Sequence, residues 1–446
     1  MLAWAFLLLT ATAQGATYYV ATTGNDAPGC GSQSNPCRHL YYAARLMASG
    51  DTMAILPGTY EDHLYAGSID PLASGTASQP TVIKAANGFG TVTIVPDGAP
   101  PNGGGIDLYI ISHIVLDGLI MDGGGIGMNS ADHITIQNCE IKNTETGMGG
   151  HAEYLSVLNC KIHHNGSDSS RVPGYTPDLL HGIYVTGSNN RFIGNDIYSN
   201  TGQGITLHDS SYKIPQNDNV IADNIFHDNG GGLQWTNGAN VLVYNNLFWN
   251  GYGIGIGGKN AKIYNNTLAG SNDGIGVNQY GSTADVQNNL LAGGAIYDQD
   301  GDIFSQSNNL LNAGSELVNP VSSGGSSCKG ATCSDRTPPT PPDLHLKSGS
   351  RAIDAGSALP EVSTDFDGVS RPQGSGYDIG AYEFTVRGTL PGDLNKDGKR
   401  DLADVRLLIY MLLGQQPTTP EADLTGDGAV TLADVQALIR LIVGIP

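Results

Sequence analysis

Positive charge is what this sequence lacks most. Its 446 residues include 21 Lys and Arg against 42 Asp and Glu, a net charge of −21, and charged residues make up only 14% of it, where a soluble domain usually carries about 25%. So few cations cannot neutralise a run of phosphates, which excludes a nucleic-acid partner. The same deficit argues against adhesion to anionic lipid. Long apolar runs are missing too: beyond residue 9 no stretch approaches the ~18 apolar residues of a membrane span, so no membrane insertion is expected. Cysteine is sparse, at six, and no C-x-x-C occurs, so thiol-redox chemistry and zinc ribbons have no support. Glycine is the opposite case, with 62 residues, about twice the usual share of ~7%. With 39% hydrophobic residues and 20 tyrosines, the chain can bury a large core.

Residues 2–9 (LAWAFLLL), followed by a small-residue stretch over 10–16, read as the apolar region and cleavage zone of a signal peptide, with a buried first strand as the alternative. Secretion places the chain in an oxidising compartment. There Cys30 with Cys37, and Cys328 with Cys333, read as staples of short Gly- and Ser-containing loops. Cys139 and Cys160 are 21 residues apart at matching positions of a repeat and should stack in neighbouring units, either bonded or as two thiols.

That repeat decides the fold. An Asn or small residue precedes an apolar step at Gly118-Leu119, Cys139-Glu140-Ile141, Cys160-Lys161-Ile162, Asn195-Asp196-Ile197, Asn224-Ile225, Asn246-Leu247, Asn266-Thr267-Leu268, Asn289-Leu290 and Asn309-Leu310, with a period of about 21. A second ladder keeps pace: Gly125-Ile126, Gly147-Met148, Gly182-Ile183, Gly204-Ile205, Gly232-Leu233, Gly253-Ile254 and Gly274-Ile275. Short alternating runs such as His133-Ile134-Thr135-Ile136 mean strands with one buried face. Gly and Asn punctuate them because they tolerate positive φ at corners. One unit cannot bury its own apolar face, but units stacked every ~4.8 Å share a continuous core. The expected fold is mostly β, a right-handed parallel β-helix, with the Asn file bonding its amides from rung to rung.

The block from Tyr18-Tyr19-Val20 through Gly50-Asp51-Thr52 to Pro57-Gly58-Thr59-Tyr60 resembles the N-terminal module of secreted, pectate-lyase-like β-helix proteins, in which a short helix, here residues 40–47, caps the coil. The block from Asp343-Leu344-His345-Leu346 to Asp378-Ile379-Gly380-Ala381-Tyr382-Glu383-Phe384 resembles their closing segment. The implied plan is a signal peptide (1–16), cap and first coils (17–105), β-helix coils (106–315), a closing segment (316–387) and a small helical C-terminal domain (388–446).

The C-terminal domain carries the sharpest motif. Two twelve-residue loops begin at Asp393 and Asp423, each running into an amphipathic stretch (405–413 and 435–443). Oxygen ligands at positions 1, 3, 5, 9 and 12 fall on Asp393, Asn395, Asp397, Asp401 and Asp404, and again on Asp423, Thr425, Asp427, Thr431 and Asp434. Position 7, at Lys399 and Ala429, contributes only a carbonyl, and a turn glycine fills position 6. That donor set suits a hard cation. Asp rather than Glu at position 12 separates the pair from a true EF-hand, and it closely resembles a type I dockerin. The resemblance implies two Ca²⁺ ions and docking onto a cohesin module, with Leu402-Ala403 and Leu432-Ala433 at the partner-reading positions.

Active-site signals are weaker. Counting alternation from the Gly–apolar ladder puts Tyr184, Thr206 and Gln234 in one outward file of a sheet face, and His151, Thr186, His208 and Thr236 in another. The longest insertion, residues 166–180, enters above them with Asp168, Arg171, Tyr175 and Asp178, and His181 follows. A polysaccharide lyase needs a base for the proton α to a uronate carboxylate, an acid for the leaving oxygen and a cation for the carboxylate. His208 or His181 as base, Tyr184 as acid and Arg171 as neutraliser meet those needs, with His151, Thr206, Tyr175, Asp178 and Gln234 holding substrate. Each has a duller alternative as a solvated or stacking surface residue. The Asp-Asp and Gly-His-Gly strings of polygalacturonase-like hydrolases are absent, and of the R-x-P-x-x-R of arginine-base pectate lyases only Arg171-Val172-Pro173 is present, with Thr176 at the second Arg. Two readings stay open. One is a secreted lyase or hydrolase of an acidic polysaccharide, delivered by its dockerin; the other is a non-catalytic β-helix of adhesion or carbohydrate binding.

Overall fold

The computed structural model describes residues 15–98, 105–166, 180–209, 211, 213–271, 274–277, 281–298, 303–320, 341–385, 392–394, 400–414 and 416–443. The chain divides into two compact units, Met1–Glu383 and Phe384–Pro446.

Short parallel strands in the larger unit stack into three faces. The first runs from His63–Ala66 through Ile183–Thr186, Gln203–Leu207 and Gly231–Ala239 to Ile296–Asp298. The second runs from Thr17–Val20 to Ile303–Ser307, and the third from Gly58–Glu61 to Leu310–Leu311. One long strand, Ile126–Gln137, pairs on both the first and second faces, so these hydrogen-bond as a 21-stranded sheet beside an 11-stranded third face. This is the right-handed parallel β-helix that the repeats predict. Its Gly–apolar ladder is an in-register file: Ile126, Met148, Ile183, Ile205, Leu233, Ile254 and Ile275 are successive partners, each nearly or fully buried. Phe226 and Phe248 stack in the same core at 4.6 Å. Truncating such a side chain to Ala costs roughly 3–5 kcal/mol.

The corner between the second and third faces divides labour between two residues. The first takes the left-handed conformation (Gly194 φ 71°, Asp223 φ 56°, Asn245 φ 53°, Asn265 φ 51°, Asn288 φ 58°). The second is the predicted Asn file, whose amides donate up the stack from Asn195 to Asn224 (2.9 Å), Asn246 (2.9 Å), Asn266 (2.9 Å), Asn289 (3.0 Å) and Asn309 (2.9 Å). Cys160 and Cys139 hold the same corner in the two preceding rungs. Asn195 Oδ1 accepts the Cys160 N–H at 2.9 Å, Cys160 Sγ accepts that of Cys139 at 3.5 Å, and both thiols are free. A second ladder, Asn165–Asn200–Asn229 (2.9 Å each), lines the corner leading out of the third face; the repeat pattern did not reveal it.

On the third face an outward file is nonetheless buried. His163, Tyr198, His227 and Trp249 stack at centroid distances of 4.5, 4.8 and 4.4 Å, and His227 bonds Asp228 (2.8 Å) and Asp196 (3.3 Å). Farther along, the closing segment packs on left-handed corner residues: Asn265 donates to the Asp378 carbonyl (2.9 Å), and the buried Arg371–Glu383 pair (2.7 Å) reaches Asn245. Near the N-terminus, helix α1 (Leu40–Ala44) is shorter than the predicted 40–47, and the Asp62 carboxylate accepts its first N–H at 2.8 Å. Cys30 and Cys37 are disulfide-bonded, as their spacing predicts. The second pair, Cys328 and Cys333, lies outside the described residues, as do residues 1–14 of the stretch 1–16 that reads as a signal peptide.

The smaller unit holds helices α2 (Leu402–Leu412) and α3 (Leu432–Val443), packed through Leu394, Val405, Leu408, Met411, Ala422, Val435 and Leu438. Helix α2 starts three residues earlier than its amphipathic pattern suggests, because Asp401 and Asp404 form a reciprocal capping box.

Candidate functional site

The first face assembles the outward files that strand alternation predicts. Gly149, Tyr184, Thr206, Gln234, Gly255 and Gly276 are successive partners, as are His151 with Thr186 and Thr236 with Gly257. Tyr184 and His208 are one rung and two residues apart, about 8 Å on the diagonal by strand geometry. His208 Nδ1 lies 2.6 Å from Thr236 Oγ1, and His151 Nδ1 lies 3.2 Å from Thr186 Oγ1. Thr206 faces outward but is only 2% exposed.

His181 joins this patch through its ring, which stacks on Tyr184 at 5.3 Å. Its Nδ1 accepts the Gln203 backbone N–H at 2.9 Å, so the neutral ring carries its proton on Nε2. Burial, and secondarily the nearby His208, push its pKa down to about 4. The neighbour Asp209 is fully committed: its carboxylate accepts from the backbone N–H groups of Ser211, Lys213 and Ile214, which hold it well below the usual carboxylate range.

From this patch a groove of about 760 Å³ runs toward the C-terminal rungs. Glycines 255, 257 and 276 form its floor, and Gln203, Gln234, Tyr252, Tyr297 and Asp298 stand around it. Sequence reasoning caught Gln234 but missed the groove, because these glycines read as punctuation rather than as absent side chains. Asp168, Arg171, Tyr175 and Asp178 lie outside the described residues. His163 and His164, close in sequence to that insertion, belong with the third-face stack.

Among the described residues the cluster Asp62, His63 and Asp97 has metal-ligand spacing. Both Asp62 oxygens already accept backbone N–H groups, from Leu40 and His63, and His63 Nδ1 bonds Asp97 at 2.6 Å, so the cluster has a structural role.

The second loop of the smaller unit closes around carboxylates. Asp423 accepts from the N–H groups of Gly426, Asp427 and Gly428, and Asp434 from Thr425 and Thr431. In the first loop Asp404 is fully buried and accepts from Leu394 and Asp401. Comparison with known families agrees: the right handed beta helix region matches over residues 102–268 and 178–313, and the dockerin type I domain over residues 391–443. The chain is a right-handed parallel β-helix with a type I dockerin domain. Among solved structures it is similar to pectate lyase Pel9A (20% identity, TM-score 0.58, covering 83% of this chain and 96% of that one). It is also similar to a rhamnogalacturonan lyase (17% identity, TM-score 0.54, covering 66% and 87%). At such identities the likeness is one of fold. No curated protein sequence matches the chain.

Dockerin type I domains bind calcium, and the second dockerin loop fits that ion. Thr425 Oγ1 lies 3.4 Å from an Asp423 oxygen and 3.0 Å from an Asp434 oxygen, so Thr425, at the position that Asn395 fills in the first loop, still puts an oxygen among the carboxylates. In the same loop Asp427 accepts the Ala429 N–H at 2.9 Å and the Thr431 hydroxyl donates to Asp434 at 3.2 Å. In the first loop Asp393, Asp401 and Asp404 are described, while Asn395, Asp397 and Lys399 lie outside the described residues. Leu402 and Leu432, which the dockerin resemblance marks as the partner-reading positions, are 76% and 72% exposed. No described helix is long and apolar enough to cross a membrane.

Proposed function

We propose that this is a secreted carbohydrate-active protein that holds a polysaccharide along its first face and cleaves it at the Tyr184–Thr206–His208 patch. In this reading the reaction is an elimination. His208, with Thr236 accepting from Nδ1–H, takes up on Nε2 the proton α to a uronate carboxylate. The C4–O bond breaks, a C4–C5 double bond forms, and the Tyr184 hydroxyl protonates the departing oxygen. His181 is the weaker base, since its Nδ1 is held by the Gln203 N–H and its ring stays neutral above about pH 4. Its Nε2–H serves instead as a donor to the substrate carboxylate. What supports this reading is that His208, Tyr184 and the His181 ring gather on one face beside the groove, His208 bonded to Thr236 and His181 to the Gln203 N–H, both residues of the groove's lining.

The test is a panel of polysaccharides assayed for ultraviolet absorbance of unsaturated uronates and for new reducing ends. Unsaturated products, lost in Tyr184→Phe, support the elimination. Reducing ends without unsaturation mean hydrolysis, and binding without cleavage means a carbohydrate-binding β-helix.

The dockerin, in the same proposal, binds two Ca²⁺ ions and tethers the β-helix to a cohesin-bearing partner. Asp393→Ala with Asp423→Ala should abolish calcium uptake and unfold residues 388–446 while the β-helix melts unchanged, because carboxylates this close repel without a cation. Stoichiometric calcium binding by the double variant contradicts the loop assignment.

A further inference from the structure

The groove below the His208 patch has a chemistry of its own. Along its outward file, Gln234 is followed by Gly255 and Gly276 and then by Tyr297. The notch between Gln234 and Tyr297 spans three rungs, about 14 Å. Tyr297 is 51% exposed, and Tyr252 stands on the same groove. The residues that line it offer amides and hydroxyls, from Gln203, Gln234 and Thr236, while Asp298 continues the inward file of Ile256 and Val277 and its carboxylate accepts the Ile303 N–H at 3.3 Å. In the sequence from 230 to 302 the cations are Lys259 and Lys262. Lys262 is bonded to Glu361 at 2.5 Å on the second face, and Lys259 ends its strand opposite Ala239, past the groove.

We propose that this notch binds uncharged sugar residues, stacked on Tyr297 and Tyr252 and hydrogen-bonded by Gln203 and Gln234. A polyuronate lying there would bring a carboxylate to every ring with no guanidinium or ammonium among the lining residues, in a chain of net charge −21. Aromatic faces with neutral amides instead match the C–H faces and hydroxyls of neutral rings. The inference rests on the polysaccharide reading above and narrows it. If the cleaved bond belongs to a uronate, the polymer is a mixed one, with neutral residues over the glycine floor.

Gly255 makes the test clean. A Cβ there would meet nothing nearer than the Leu233 carbonyl oxygen at 3.7 Å, and its φ is not in the left-handed region, so Gly255→Val fills the groove without strain. Binding of the full-length protein to neutral, mixed and fully acidic polysaccharides would be measured by calorimetry, in calcium and again in EDTA. Affinity for a neutral or mixed polymer, reduced at least tenfold in both Gly255→Val and Tyr297→Ala with melting temperature preserved, is the expected result. Binding of a fully acidic polymer that Gly255→Val abolishes would overturn the inference, whether or not it needs calcium. Polysaccharide binding unaffected by either substitution would overturn it too while leaving the wider proposal intact. Failure to bind any polysaccharide defeats both.

Discussion

The first and third faces of the β-helix are built on the same backbone repeat, and each carries histidines and tyrosines in outward files. On the third face those side chains stack without a gap, from His163 through Tyr198 and His227 to Trp249, and hydrogen bonds to Glu140 and Asp228, with an ion-pair contact to Asp196, hold its histidines. On the first face the file is interrupted: Gly149 precedes Tyr184, and Gly255 and Gly276 follow Gln234. An unbroken file is a wall that stabilises the coil. A file broken by glycines leaves polar groups standing at the edge of a groove, and that is where a ligand fits.

The sharpest way to break this comparison is to exchange the consequences of two histidines. His208→Ala should lower turnover at least ~100-fold and cost only about 1 kcal/mol, the Thr236 contact. His227→Ala should do the reverse. It takes the cation from the buried Asp228, which keeps the Asn250 amide, and so should cost about 3 kcal/mol, while turnover at a temperature where the protein stays folded is unchanged. Turnover assays and denaturant melts of both variants decide it, and a His227 variant that loses activity but not stability would merge the two faces into one site. A smaller effect distinguishes corner from surface. Asn246→Ala removes an amide with three acceptors and the oxygen that holds Asn224, so it should cost about 2–4 kcal/mol. The exposed Asn129→Ala, at a position without positive φ, should cost no more than ~1 kcal/mol.

Acid stability gives the smallest and most diagnostic difference. On the first face His181 has its pKa lowered to about 4 by burial, and His163 on the third likewise. The unfolded chain therefore binds their protons first, and stability should fall as pH drops from about 6.5 toward 4, by up to ~1.4 kcal/mol per pH unit for each group. For His227 burial works against the charge, yet Asp196 and Asp228 outweigh it and raise the pKa. Its contribution is present below about pH 6.5 and is lost as pH rises through the folded value. Melts from pH 4 to 8 should show a shallower acid limb in His181→Gln and a shallower alkaline loss in His227→Gln. Identical slopes in wild type and both variants would refute these assignments.

The stack of coils was legible because it is written in repetition: the Gly–Ile ladder and the Asn file from Asn195 to Asn309 both fall on in-register partners. The Asn165–Asn200–Asn229 ladder escaped because it has only three members, over steps of 35 and 29 residues, too few to show the regular period that the longer file shows beyond Asn224. Site residues were legible only as positions on a face. That His181 is a fixed donor depends on a backbone N–H contributed 22 residues later by the next rung, which no local pattern encodes. Burial of Thr206 and the emptiness above Gly255 are likewise properties of neighbouring rungs.

The central claim is that the polysaccharide lies on the first face. The most direct measurement is a crystal structure of His208→Ala with the longest oligosaccharide that the protein binds. Sugar density should run from Tyr184 past Gly255 to Tyr297, with a glycosidic oxygen within hydrogen-bond reach of the Tyr184 hydroxyl. Density along the third-face stack, or on the second face with the first face bare, would contradict it.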